Sequence, residues 1–102
     1  MTINRGVLTA KSAHSITIGN IRIDRAIVIH YTGKRSSLVQ YGKLVIMNKM
    51  STADVAQDFS GDDIGVVPTA TVSGNDIILT LTADNSDAYD IEYIVEIDNI
   101  KL

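Results

Sequence analysis

Two histidines, His14 and His30, are the side chains best suited to proton transfer near neutral pH, and they lie in different stretches of the chain. A serine-based triad needs a His fixed beside one Ser and one acid, and no spacing here places either His that way. His30 closes an apolar run beside Tyr31, which is a structural or interface position. With no Cys in the chain, thiol nucleophiles, zinc–thiolate clusters and disulfides are excluded. Nucleophile elbows, phosphate-cradling Gly loops and metalloprotease helices are absent from the sequence. Two acidic patches, Asp58/Asp62/Asp63 and Asp84/Asn85/Asp87/Asp90, have the oxygens a hard cation takes. Neither has the Gly and terminal Glu of a calcium loop, and Asp and Asn are ordinary turn residues. No catalytic residue, metal or cofactor is therefore expected, and the chain reads as a non-enzyme. Glycan binding recruits aromatic platforms, for which Tyr31, Tyr41, Tyr89 and Tyr93 are the candidates in a chain without Trp. Tyr93 alternates with Ile91 and Val95 toward a core, so no receptor site is defined.

The 102 residues suit one domain. Apolar residues make up 45% of them, enough for a core that must be aliphatic, because only four Tyr and one Phe supply rings. Apolar runs stop at about four residues, against the roughly 20 a membrane helix needs. Residues 1–19 lack the basic start and apolar stretch of a signal peptide. A soluble chain made in the bacterial cytoplasm, without membrane insertion, is expected. Charge is divided unevenly: residues 1–50 hold eight Lys/Arg and one acid, and residues 51–102 hold eleven acids and one base. The bases are dispersed and no stacking aromatics accompany them, so nucleic acid is not the expected partner. The two halves are expected to lie against each other with their charges interleaved.

The dominant period is two, the signature of strands. Ser15-Ile16-Thr17-Ile18 alternates until Gly19-Asn20, and Ile21-Arg22-Ile23-Asp24 resumes before the apolar run of residues 26–31. Residues 32–37 have turn chemistry, with Gly33 as the residue suited to positive φ, and residues 38–48 complete a hairpin. Residues 50–65, acidic and Gly-containing, read as a loop or short helix, capped by Ser51, that crosses between sheets. Residues 66–72 form a strand with Pro68 at an edge. Ser73-Gly74-Asn75-Asp76 is a turn, residues 77–82 a strand, and residues 89–98 the clearest alternation of all.

Six or seven short strands without a convincing helix predict an all-β fold, a small antiparallel β-sandwich of jelly-roll-like form. Residues 1–14 read as an N-terminal connector and residues 15–102 as the sandwich. Several strands carry apolar residues on both faces, and a two-layer sandwich covers one face of each sheet. Ile27, Ile29, Val45 and Met47 are the set expected to remain for a partner. Leaving three or four such side chains in water forgoes about 5 kcal/mol, at about 25 cal/mol per Å². Assembly with further copies of the chain recovers that energy.

An apolar strand ending in Tyr, Ile27-Val28-Ile29-His30-Tyr31, is followed by the polar Thr32-Gly33-Lys34-Arg35 and the Gly-containing strand Tyr41-Gly42-Lys43-Leu44-Val45-Ile46. After an acidic crossing come the Val-rich strand 66–72, the Ser73-Gly74-Asn75-Asp76 turn, strand 77–81, and Ile91-Glu92-Tyr93-Ile94-Val95. In this order, over residues 21–97, the chain resembles the small C-terminal β-sandwich domains of tailed-bacteriophage tail spikes and tail fibres. Where family members often carry Arg two residues before the Gly of the second hairpin strand, this chain has Gln40. The resemblance implies a homotrimer, a place in the virion tail, and a structural role in trimerisation or in binding a host-surface glycan or protein. The alternative is a stand-alone carbohydrate-binding or adhesin-type sandwich, with a hydrolase well behind.

Overall fold

The computed structural model describes residues 2–9, 11–84 and 90–102. Eight antiparallel strands are present among them: β1 Thr2–Leu8, β2 Ala13–Asn20, β3 Asp24–Arg35, β4 Leu38–Asn48, β5 Ala53–Gly61, β6 Val66–Ser73, β7 Asp76–Ala83 and β8 Ile91–Lys101. They build a five-stranded sheet, β1-β8-β3-β4-β5, packed on a three-stranded sheet, β2-β7-β6. This is the antiparallel β-sandwich that the alternation predicts. β8 between β1 and β3, with β7 beside β2, follows the jelly-roll wrap. β3, β4 and β5 then continue as a meander in the large sheet.

The core is aliphatic. Ile27, Ile29, Leu44, Ile46 and Ile97 from the large sheet meet Ile77, Leu79 and Leu81 from the small one, all at most 6% exposed. Two polar clusters close the hairpin end of this core. Tyr31 donates its hydroxyl hydrogen to Gln40 Oε1 (2.6 Å), while Gln57 Nε2 donates to the Tyr31 oxygen (2.8 Å) and Gln40 Nε2 to the Asp62 carbonyl (2.9 Å). Burial raises the Tyr31 pKa, the Gln57 bond lowers it, and the charge of Asp63 adds to the rise. Arg35, 1% exposed, donates to the Ile64 carbonyl (2.9 Å) and pairs with Asp84 (3.2 Å), joining β3 to two of the connections that cross between the sheets. Gln40 thus accepts from Tyr31 and donates to the Asp62 carbonyl.

Four sequence expectations are corrected. Residues 1–14 are more than a connector, since Thr2–Leu8 pairs along β8 as the outermost strand of the large sheet. The stretch read as loop or helix contains β5, whose Ala53 and Val55 pack toward the core while Asp54, Ala56 and Asp58 face water. An edge strand needs only a weak apolar stripe, and the chain enters it by a tight turn with Met50 at φ 69° rather than by a helix capped at Ser51. The crossing itself occupies residues 62–65. The hairpin turn is only Ser36-Ser37, with Ser36 at φ 56°; Gly33 is a strand residue whose missing Cβ leaves room for Ile64 Cδ1. Ile21 to Ile23 form a turn, not a strand.

Gly42 sits under the Tyr31 ring, where any Cβ would collide with the phenol. Gly42→Ala is expected to lower stability by about 1–3 kcal/mol, because the ring is held by two hydrogen bonds and the core cannot yield. Urea unfolding of the two proteins measures this.

The far end of the sandwich is latched by Asp24, 3% exposed. It accepts from the Asn20 amide (2.9 Å) and from Lys101 Nζ (2.9 Å), while Asn99 Nδ2 donates to the Ile18 carbonyl (2.9 Å). Burial pushes the Asp24 pKa up, but the Lys101 and Asn20 hydrogen bonds and the Lys101 charge outweigh it, so the carboxyl titrates below its ordinary value. A carboxyl depressed in the folded state contributes stability above its unfolded pKa and loses it as pH falls through the folded one. Acid unfolding should therefore steepen below about pH 4, and Asp24→Asn should flatten that limb while costing about 1–2 kcal/mol at neutral pH. Denaturation melts across the acid range compare the two.

Candidate functional site

Strand register sorts the exposed face of the large sheet into rows running across the strands. Starting at the β3–β4 hairpin, the first row is Val7–Glu92–Lys34–Val39 and the second Arg5–Ile94–Thr32–Tyr41–Ser60. The third is Ile3–Glu96–His30–Lys43–Asp58. The fourth is Asp98–Val28–Val45–Ala56 and the fifth Ile100–Ala26–Met47–Asp54. The first and third rows alternate charges, and the second carries one, Arg5. The last two, beside the Asp24 latch, are largely apolar, and Ile23, Met50 and Leu102 add exposed apolar side chains at that tip.

Of the four side chains expected to await a partner, the structure splits the set. Ile27 and Ile29 are fully buried inside the single chain, opposite Ile46 and Leu44. Val45 is half-buried and Met47 is 42% exposed on the outer face, each directly opposite Val28 and Ala26. The reason is register. The two-residue turn puts Arg35 opposite Leu38, so Ile27 shares a face with Ile46 and not with Val45. In place of Ile27 and Ile29, sequence reasoning missed Ala26, Val28 and Ile100, which only the pairing reveals.

The charge-divided halves interleave. Lys34 faces Glu92, His30 faces Glu96 and Lys43 faces Asp58, bases of the first half against acids of the second. Lys49 and Asp54 lie 2.7 Å apart, and this pairing raises the Lys49 pKa. His30 Nδ1 is buried without a hydrogen-bond partner. His14 is on β2 in the other sheet, so the two histidines share no site. Among the described residues no group of three or more His, Asp or Glu is placed to hold a metal. Asp62 and Asp63 of the first acidic patch bond backbone amides of Val39 and Gly65, as turn residues do. In the second patch Asn85 and Asp87, and likewise Tyr89, lie outside the described residues.

The outer face of the small sheet differs in kind. Its rows Ala13–Thr82–Val67, Ser15–Thr80–Thr69 and Thr17–Ile78–Thr71 carry no charge.

The fold and its wrap define an antiparallel β-sandwich module. No family model and no curated protein matches the chain in sequence. Among solved structures, the chain is similar to the tailspike protein gp49 of Acinetobacter baumannii bacteriophage Fri1, a capsular polysaccharide depolymerase. The TM-score is 0.55 at 17% identity, over 98% of this chain and 18% of that one. At that identity the likeness is one of fold, and the chain spans less than a fifth of the tailspike's length.

Proposed function

We propose that the chain is a structural, non-catalytic module of a phage tail spike or tail fibre that holds three copies together in the virion, with host-surface contact as its second role. The observation that carries this reading is the apolar end of the large sheet: Ala26, Val28, Val45, Met47 and Ile100 in adjoining rows, with Ile23, Met50 and Leu102 beside them. A patch of this kind on a small soluble domain marks a contact surface, and the tail-spike-like fold supplies the context in which the partners are further copies. The charged rows next to it carry both signs, as a polar rim does.

Static light scattering on a sizing column tests the assembly. The expected mass is three times the 11.0 kDa of one chain. A mass of one chain at micromolar concentration contradicts it.

A further inference from the structure

Both internal methionines of the chain lie at the apolar end of the large sheet. Met47 is 42% exposed on the outer face, and Met50, in the turn between β4 and β5, is 58% exposed. Among the described residues the buried apolar core holds no methionine; it is built of Ile, Leu, Val, Ala and Tyr. Filling irregular gaps inside a core, the common use of this side chain, is therefore not its use here. Register surrounds Met47 with Ala26, Ile100 and Asp54 in its own row and with Val28 and Val45 in the next. Met50 is fixed at the same tip by a tight turn. Its amide donates to Asn48 Oδ1 (2.8 Å), and the Lys49 amide donates to the Thr52 carbonyl (3.0 Å). The ammonium of Lys49 is already engaged with Asp54, at 2.7 Å.

We infer that Met47 and Met50 are an oxidation site through which a peroxide controls assembly; the inference rests on the module reading above and adds a regulation to its contact surface. The thioether sulfur attacks one peroxide oxygen, a sulfur–oxygen bond forms, the oxygen–oxygen bond breaks, and water leaves. Sulfur is oxidised by two electrons and the peroxide is reduced by the same two. The chain has no Cys and no Trp, so these thioethers and that of Met1 are the side chains a mild peroxide takes first. In a separate chain the product costs little, because the new oxygen faces water. In the assembly it is an acceptor closed in among Ala26, Val28, Val45 and Ile100, whose side chains have no donor. Asp54 offers only another acceptor. A polar group buried without a partner is costly, so the oxidised face does not close on its neighbour. Once copies have assembled the same sulfurs are covered, and oxidation therefore captures chains that are apart. Leu at both positions keeps the apolar volume and does not respond.

The full chain, diluted until its copies separate, is treated with hydrogen peroxide, concentrated again and weighed by light scattering. Peptide mass spectrometry locates each added oxygen. Chains carrying sulfoxide at Met47 and Met50 should associate at least about tenfold more weakly than untreated ones, with an unchanged far-UV spectrum. Methionine sulfoxide reductase with its thiol reductant should return the threefold mass. The double variant Met47→Leu, Met50→Leu should keep the threefold mass through the same treatment, with Met1 oxidised. Loss of assembly in the treated double variant, a loss that reduction does not reverse, or a melted far-UV spectrum on oxidation would each overturn the inference. Fully oxidised wild type that still assembles would overturn it and leave the module reading standing. Untreated chains at the mass of one chain would sink that reading and this inference with it.

Discussion

Arg35→Ala is expected to cost about 3–5 kcal/mol, a large share of the roughly 5–15 kcal/mol that holds a small domain folded. The guanidinium is buried at the last residue of β3 and donates to the Ile64 carbonyl and the Asp84 carboxylate. Those partners belong to two of the four connections that carry the chain between sheets, residues 62–65 between β5 and β6 and Asp84 directly after β7. Removing the side chain leaves the buried Ile64 carbonyl short of a donor and opens a void near the sheet crossings. Arg35→Met keeps most of the volume and deletes the charge, so its loss should be smaller, because a well-packed apolar group often replaces a buried ion pair at little cost. Urea unfolding separates the two. A loss below about 1 kcal/mol for Arg35→Ala would show that the crossings hold without it.

Met47→Glu is expected to take the assembly apart while leaving each chain folded. Met47 is exposed in the single chain, so the substitution should change its stability by no more than about 0.5 kcal/mol. In the assembled state the same carboxylate is removed from water in a row that offers Ala26, Ile100 and Asp54, none of them a cation. Burying an uncompensated charge costs several kcal/mol, which weakens association by about a hundredfold or more. Sedimentation velocity should show single chains for Met47→Glu at concentrations where the wild type is expected to sediment as a trimer. Thr71→Glu, on the uncharged face of the small sheet, should sediment as wild type. The reverse pattern would move the contact to that sheet.

Alternation made most strands legible, with Ser15 to Ile18 and Ile91 to Ile97 the plainest, because a half-buried antiparallel strand must repeat every two residues. β5 was hidden because an edge strand half in water needs only Ala53 and Val55 on its inner stripe, and its Asp54 mimics a helix cap three residues after Ser51. β1 was hidden for a related reason: Ile3 and Val7 face outward there, so no inward stripe announces it. The outer-face site was half legible. Sequence shows that β3 and β4 are apolar on both sides, but which sides coincide depends on the number of residues in the turn. A one-residue change of register exchanges every side chain between faces, and reading residues 32–37 as loop left that register open. The interleaving of basic and acidic halves was legible from charge alone.

Met47 offers a direct reading of whether copies of the chain cover the apolar end of the large sheet. Peroxide oxidation of Met47, followed by peptide mass spectrometry, reports its exposure to solvent at each protein concentration. Protection should rise with concentration in step with the threefold mass and vanish on dilution. Oxidation of Met47 at one unchanging rate, dilute or concentrated, would contradict a subunit contact there.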